Sequence, residues 1–272
     1  MRELPIGVFD SGIGGLTVLR GLMSELPHER FVYFGDTARV PYGTKSHDVV
    51  LRYSKEIAHY LLGPNPKKPA VKMIVIACNT ASAHAGAALA NELPAPVIGV
   101  VKAGAQAAAR LAPKGTIAVI GTKSTIASSV YAKEIKKIAP RATVLGQACS
   151  LFVSLVEEGW LNHPVTDQTA RIYLSGLARK KPDVLVLGCT HYPMLEPAIA
   201  KLFKRTTPIV DSPTAVAFNV QEKLMEMNLA AAGKTRGAKV RFFVSDDPEG
   251  FRRAARLFLG GPLPGPVRLV RF

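Results

Sequence analysis

Two cysteines occupy matched surroundings. Cys78 lies in Ala77-Cys-Asn-Thr-Ala-Ser82 and Cys189 in Gly188-Cys-Thr-His-Tyr-Pro193, each a thiol between an apolar run and a turn rich in polar side chains. Alone, either is more often a small core hydrophobe than a catalyst. A thiol with an ordinary pKa near about 8.5 becomes reactive where a helix N-terminus or a neighbouring base manages its proton, which a strand-to-helix turn favours. His191, two residues past Cys189, is near enough in sequence to handle a proton. Asp10 and Ser11 form a third polar turn in Gly7-Val-Phe-Asp-Ser-Gly-Ile-Gly-Gly15. Glycines there admit a ligand close to the backbone, and free helix N–H groups suit a carboxylate, although capping the turn is the commoner work of such an aspartate. Neither glycine-rich segment is a phosphate motif. Gly12-Ile-Gly14 is followed by Thr17 where a dinucleotide fingerprint needs its third glycine, and the glycine upstream of Gly121-Thr-Lys-Ser-Thr125 is Gly115, one position too far for a P-loop.

The elements that must carry these residues alternate. Apolar runs at Ile6-Gly-Val-Phe9, Phe31-Val-Tyr-Phe34, Val71-Lys-Met-Ile-Val-Ile76, Val97-Ile-Gly-Val100, Ile117-Ala-Val-Ile120, Ala142-Thr-Val-Leu145 and Val184-Leu-Val-Leu187 read as buried strands. Between them fall helical patterns, such as Gly14 to Met23 and the face Val50, Tyr53, Ile57, Leu61 that Ser46 caps and Gly63-Pro64 ends. This alternation predicts an α/β fold with right-handed crossovers. An offset of 111 residues, the separation of Cys78 from Cys189, also maps Ile6–Phe9 onto Ile117–Ile120, Asp10-Ser11 onto Gly121-Thr122, and Gly35 onto Gly146. Two similar domains are therefore expected, each a central parallel sheet flanked by helices, with both cysteines just past strand ends, facing each other across an interdomain cleft. Residues 212–272, read as helix 213–227, strand 239–244, helix 248–258 and strand 266–271, return to the first half. The division is 1–97 plus 212–272 and 98–211.

Composition bounds the rest. With 272 residues, 48% hydrophobic and 20% charged, the chain buries a sizeable core and is not mainly disordered. No apolar stretch approaches the roughly 18 to 20 residues a membrane span needs, and the start lacks the shape of a secretory signal, so a cytoplasmic protein with no membrane partner is expected. Three cysteines without a CxxC pair suggest neither a disulfide scaffold nor a metal site. The net charge of +15 gathers late, in Lys201–Arg205, Lys234–Arg241 and Arg252, Arg253, Arg256. Such a field draws polyanions, so a nucleic-acid partner is conceivable, but no motif specifies one, and a solvated cationic surface is the simpler reading.

In order along the chain, Val8-Phe-Asp-Ser-Gly-Ile-Gly-Gly-Leu16, Phe34-Gly-Asp-Thr-Ala-Arg-Val-Pro-Tyr-Gly43, Ala77-Cys-Asn-Thr-Ala81, Cys149-Ser-Leu-Phe-Val-Ser-Leu-Val-Glu-Glu-Gly159 and Leu187-Gly-Cys-Thr-His-Tyr-Pro193 resemble the glutamate racemases of the cofactor-independent aspartate/glutamate racemase superfamily. The resemblance covers nearly the whole chain. It implies interconversion of L- and D-glutamate without pyridoxal phosphate or any other cofactor, supplying D-glutamate for peptidoglycan, by a protein that commonly forms homodimers. By motif, it implies that Cys78 and Cys189 are the acid/base pair, tuned by Asp10, Glu157 and His191. Ser11, Tyr42, Gly43, Asn79, Thr80 and Thr190 would hold the substrate together with Asp10 and His191, and Thr122 and Thr125 would serve the same role. Ser150 and Ser154 stand where the family usually has prolines, which leaves the expected loop carrying Glu157 less rigid. Cys149 maps onto Ala38 under the offset and reads as structural. An aspartate racemase would use the same thiols, differing in the reach to the second carboxylate. A cysteine hydrolase needs only one nucleophilic thiol and leaves the second unexplained.

Overall fold

Each apolar run becomes a parallel strand buried on both faces, because helices cover both sides of the sheets. The computed structural model describes residues 1–64, 70–233 and 239–272. In chain order, β1 (Ile6–Asp10), α1 (Leu16–Glu25), β2 (Phe31–Gly35), α2 (His47–Leu62), β3 (Met73–Ile76), α3 (Asn79–Glu92) and β4 (Val97–Gly99) come first. Next are α4 (Val100–Leu111), β5 (Thr116–Gly121), α5 (Lys123–Ala127), α6 (Val130–Ile138), β6 (Thr143–Ala148), α7 (Leu151–Glu157), α8 (Pro164–Arg179), β7 (Val184–Gly188), α9 (Glu196–Ala200) and β8 (Ile209–Val210). Last are α10 (Ser212–Glu226), β9 (Val240–Val244), α11 (Pro248–Leu259) and β10 (Val267–Leu269). The first sheet has the order β10-β9-β2-β1-β3-β4 and the second β6-β5-β7-β8, every pairing parallel.

Alternate residues of one strand feed different cores, as a period of two requires. In the first sheet Phe9, Val32, Phe34, Ile74 and Ile76 pack with α2 and α3, while Ile6, Val8, Tyr33, Met73 and Val75 join the side chains of α1, α10 and α11. Ile117, Val119, Val184 and Val186 of the second sheet meet α4 and α6, and Ala118, Ile120, Leu185 and Leu187 enter the same cluster as Val8 and Val75. One continuous apolar core thus reaches both sheets. Burying a Val, Leu, Ile or Phe side chain contributes roughly 1.5–3 kcal/mol, so this cluster holds the sheets in a fixed relation.

The repeat is visible in the registers. Ile6 pairs with Met73 in the first sheet and Ile117 with Val184 in the second, both partners moved by the same 111 positions. Outer strands drift: Ile74 pairs with Val97 while Leu185 pairs with Ile209, one residue further on. Beyond the repeat, β9 joins β2 and β10 joins β9, extending the first sheet as expected. Several local expectations shift. Helix α1 begins at Leu16 rather than Gly14, after a glycine turn that packs closely against the second half. Val71 and Lys72 precede β3, and Val100 already belongs to α4. Ser46 occupies the N-cap of α2 without a side-chain capping bond, whereas Gly63 ends the helix at φ +79, where its N–H reaches the His59 and Tyr60 carbonyls. Part of the basic run Lys234–Arg241, residues 234–238, lies outside the described residues. Among the described residues no helix is long and apolar enough to cross a membrane.

Candidate active site

Every parallel strand aims its carboxyl end at a loop, and six of these loops meet around one cavity of about 520 Å³. Ser11 follows β1; Tyr42, Gly43 and Thr44 follow β2; Cys78, Asn79 and Thr80 follow β3. From the second sheet come Thr122 after β5, Ser150 to Glu157 after β6, and Cys189, Thr190 and His191 after β7. Both thiols therefore open onto the same space, each at the position where open α/β sheets bind ligands.

The two thiols have different neighbours. Cys78, 5% exposed, is the N-cap of α3: its Sγ accepts the Ala81 N–H at 3.4 Å and donates to Ser11 Oγ at 3.6 Å. Burial, reinforced by Asp10, nevertheless pushes the Cys78 thiol up to about 12, with the Ala81 and Ser11 contacts pulling the other way. This corrects the expectation that a strand-to-helix turn favours the thiolate. One long N–H contact does not offset removal from water beside a carboxylate. Asp10 ends β1 at 1% exposure; its Oδ1 accepts the Gly12 N–H at 3.0 Å, and its Oδ2 has no hydrogen-bond partner among the described residues. Desolvation raises its pKa, against His191 and the Gly12 and Gly15 N–H groups, which lower it.

Cys189, 6% exposed, has His191 Nδ1 at 3.8 Å, and His191 Nε2 lies 3.0 Å from Glu157 Oε1. Burial lowers the His191 pKa, but the contacts with Cys189 and Glu157 outweigh it and lift the imidazole to about 10. A positive charge therefore stands beside Cys189 at neutral pH. Glu157 is the last residue of α7, not part of a loop, and at the other end of that helix Ser150 Oγ accepts the Lys123 N–H at 3.2 Å.

The remaining expected residues divide into those facing the cavity and those behind it. Thr80, Thr122 and Thr125 join their hydroxyls at 3.0–3.1 Å, tying α3 to the turn that Thr122 caps. Thr125 sits behind Thr80 and Thr122 and does not line the cavity. Asn79 is committed elsewhere too, accepting the Tyr131 hydroxyl at 2.7 Å and donating to Ser212 at 3.1 Å. Thr190 lines the cavity while its carbonyl accepts the Thr17 hydroxyl at 3.0 Å. Tyr42 lines the cavity, but its hydroxyl donates to the fully buried Asp36, which also holds Arg39 at 2.7 Å and Ser245 at 2.8 Å. Sequence reasoning missed this anchoring role of Asp36, although the residue lay inside a motif it singled out. Val40, Thr44, Leu151 and Val153 also line the cavity, and single residues of these types carry no sequence signal. Cys149 is fully buried, raised to about 12 by burial and Cys189, and does not line the cavity.

Two glycines set the close approach. A Cβ on Gly14 would lie 2.5 Å from His191 Cε1, and one on Gly43 would lie 2.8 Å from Thr122 Cβ. Both positions join a loop of the first sheet to one of the second, so a methyl group there would push the halves apart. Among the described residues no group of three His, Cys, Asp or Glu side chains is placed to hold a metal ion.

Comparison with known proteins agrees with this fold. The Asp/Glu/hydantoin racemase family matches residues 16–219. A curated glutamate racemase from Geobacter metallireducens is 50% identical over 95% of this chain and 93% of its own length. The crystal structure of glutamate racemase from Francisella tularensis in complex with D-glutamate superposes with a TM-score of 0.89 at 38% identity, covering 99% of this chain and 98% of that one. A glutamate racemase isoform from Bacillus anthracis gives a TM-score of 0.92 at 35% identity over the same shares of the two chains.

Proposed function

The chain belongs to the Asp/Glu/hydantoin racemase family, as an enzyme of its glutamate racemase branch, and from that premise we propose that it interconverts L- and D-glutamate by moving a proton between Cys78, Cα and Cys189. The observation that carries the proposal is the pair of thiols at equivalent strand ends of two sheets, opening onto one cavity. Inverting a tetrahedral carbon by proton transfer needs removal from one face and delivery to the other. Two groups must flank Cα, one as thiolate and one as thiol.

In the L-to-D direction Cys189 takes the α-proton and Cys78 delivers its own to the opposite face, leaving a Cys78 thiolate and a Cys189 thiol. The reverse reaction exchanges the roles, and proton exchange with solvent restores either state. The resting electrostatics suit this cycle: Cys78 is held as a thiol by burial and Asp10, and Cys189 stands beside the charged His191. Asp10 and Glu157 act through these neighbours. An α-proton next to a charged carboxylate is very weakly acidic, so the rate depends on fixed donors around the developing carbanion in a site shielded from water. Ser11, Thr80, Thr122 and Thr190 line the cavity and carry hydroxyls that suit this role.

The same reading divides the chain into domains 1–97 plus 212–272 and 98–211, with the site between them. It assigns the D-glutamate to peptidoglycan synthesis in the cytoplasm, made by a homodimer without a cofactor. The test is incubation with L-glutamate in D2O, without pyridoxal phosphate, following circular dichroism and the α-proton NMR signal. Both signals decay in the native protein, and Cys78→Ala and Cys189→Ala each slow the decay by about 10²–10⁴-fold. Full racemisation by both single variants would refute the two-thiol scheme.

A further inference from the structure

Beside the reaction cavity lies a second one of about 590 Å³, lined by Lys45, His47, His84, Lys123, Ser124 and Ser128 along with small residues, and we propose that it binds a small dianion across the two halves. Every ionisable lining group is basic, and none of the ion pairs among the described residues involves any of them. The nearest acid in sequence, Asp48, lines a different cavity with Arg52 and Lys55. Among the described residues these basic groups thus converge without an ion-paired acid, and a dianion supplies a partner.

The hydrogen bonds show how the histidines are poised. His84 Nε2 is 2.7 Å from Ser124 Oγ, Ser124 Oγ donates to the Lys45 carbonyl at 3.4 Å, and His47 Nδ1 is 3.1 Å from His84 Nδ1. One proton assignment satisfies all three contacts. Ser124 gives its only proton to Lys45, so His84 Nε2–H donates to Ser124, and His84 Nδ1 must accept from His47. Burial together with His47 holds His84 below its ordinary pKa. A dianion near His47, Lys45 and Lys123 opposes that shift and draws a proton onto His84.

Position gives the site a consequence. Lys45, His47 and His84 come from the first half, and Lys123, Ser124 and Ser128 from the second, while Gly43 and Thr44 line this cavity and the reaction cavity alike. A ligand bridging the lysines holds α5 against the Gly43-Thr44 segment and so tightens the substrate site. The binding stands independently of the proposed reaction; only its effect on KM rests on that reading.

The test is calorimetric titration of the full chain with sodium sulfate and, separately, with malonate, at ionic strength fixed by chloride. One site per chain is expected, tighter at about pH 6 than at about pH 8 and taking up a proton on binding. Stronger binding of sulfate marks a phosphate-like ligand, and stronger binding of malonate a dicarboxylate. Lys45→Gln combined with Lys123→Gln weakens binding at least about tenfold. Arg253→Gln, on the exposed face of α11, leaves it unchanged. Both lysines are at least partly exposed, so the double variant folds. No heat with either anion, or equal binding by the double variant, overturns the proposal. In the racemase assay the bound anion lowers KM at constant kcat; an unmoved KM in the presence of measured binding overturns the coupling.

Discussion

Replacing Glu157 by Gln removes the charge 3.0 Å from His191 Nε2 while keeping an acceptor of the same shape. Two unit charges at that distance attract by about 5–6 kcal/mol at an effective dielectric constant near 20. The Glu157 side chain is 42% exposed, so solvent screening reduces the usable part to about 1–2 kcal/mol, or about one pKa unit. The sign follows from the balance on His191: burial favours the neutral ring, and Cys189 and Glu157 oppose it, so losing Glu157 lowers the pKa from about 10. If the imidazolium must stand beside Cys189 for turnover, the alkaline limb of kcat/KM moves down by about one pH unit. The assay has a built-in check. Enantiomers are equally stable, so kcat/KM must be equal in the two directions at every pH, for the native enzyme and any variant. The limb therefore moves together for L- and D-glutamate, and any asymmetry appears in kcat and KM separately. Glu158→Gln, one residue on and exposed, is the control. An unmoved alkaline limb with a fully folded variant would refute the role given to His191 and Glu157.

Two further perturbations probe the other side of the cavity. Asp10→Asn removes the charge that, after burial, holds the Cys78 thiol up, so its pKa falls from about 12 and iodoacetamide alkylates Cys78 faster at alkaline pH; an unchanged rate at that cysteine would separate Asp10 from Cys78. Gly14→Ala places a methyl 2.5 Å from His191 Cε1 and 2.6 Å from Nδ1. It costs about 1–3 kcal/mol in a urea melt and lowers kcat along with stability, whereas native kcat in a destabilised protein would show that the ring tolerates displacement.

Much of this was legible because parallel strands buried on both faces announce themselves as apolar runs, and β1, β3, β5 and β7 are such runs. The offset of 111 positions read from the cysteines reappears in the strand registers, since both halves fold the same pattern. What escaped was non-local. Ile209–Val210 is too short a strand to register as a period, and it exists only because β7 offers an edge. Before α1 starts at Leu16, Gly14 is packed so closely on the second half that an added Cβ would fall 2.5 Å from His191 Cε1, a proximity of residues far apart in sequence. The proton affinity of Cys78 is not legible locally, because the one local cue, the helix start, competes with burial and with Asp10, both products of tertiary structure. The resemblance puts Glu157 on a loop; in the fold it ends about two turns of helix.

The repeat supplies the thiols but not their partners. Under the offset Cys78 falls on Cys189, yet Thr80 falls on His191, Asp10 on Gly121 and Ser11 on Thr122. Each thiol thus sits at the same place on a common scaffold and in a different field, one beside a buried carboxyl and one beside an imidazolium held by Glu157. The proposed reaction needs this mixture. Racemisation exchanges only the position of hydrogen at Cα, so the proton-handling groups must flank the carbon as near mirror images. The amino, carboxylate and side-chain groups keep their identities, and contacts that hold them cannot be symmetric. A fully symmetric site would have no means of telling the side chain from the α-carboxylate, and a fully asymmetric one would have no second thiol in line. Duplicated strand ends with divergent loops meet both demands, which is why the loops rather than the strands are where substitutions should separate binding from proton transfer.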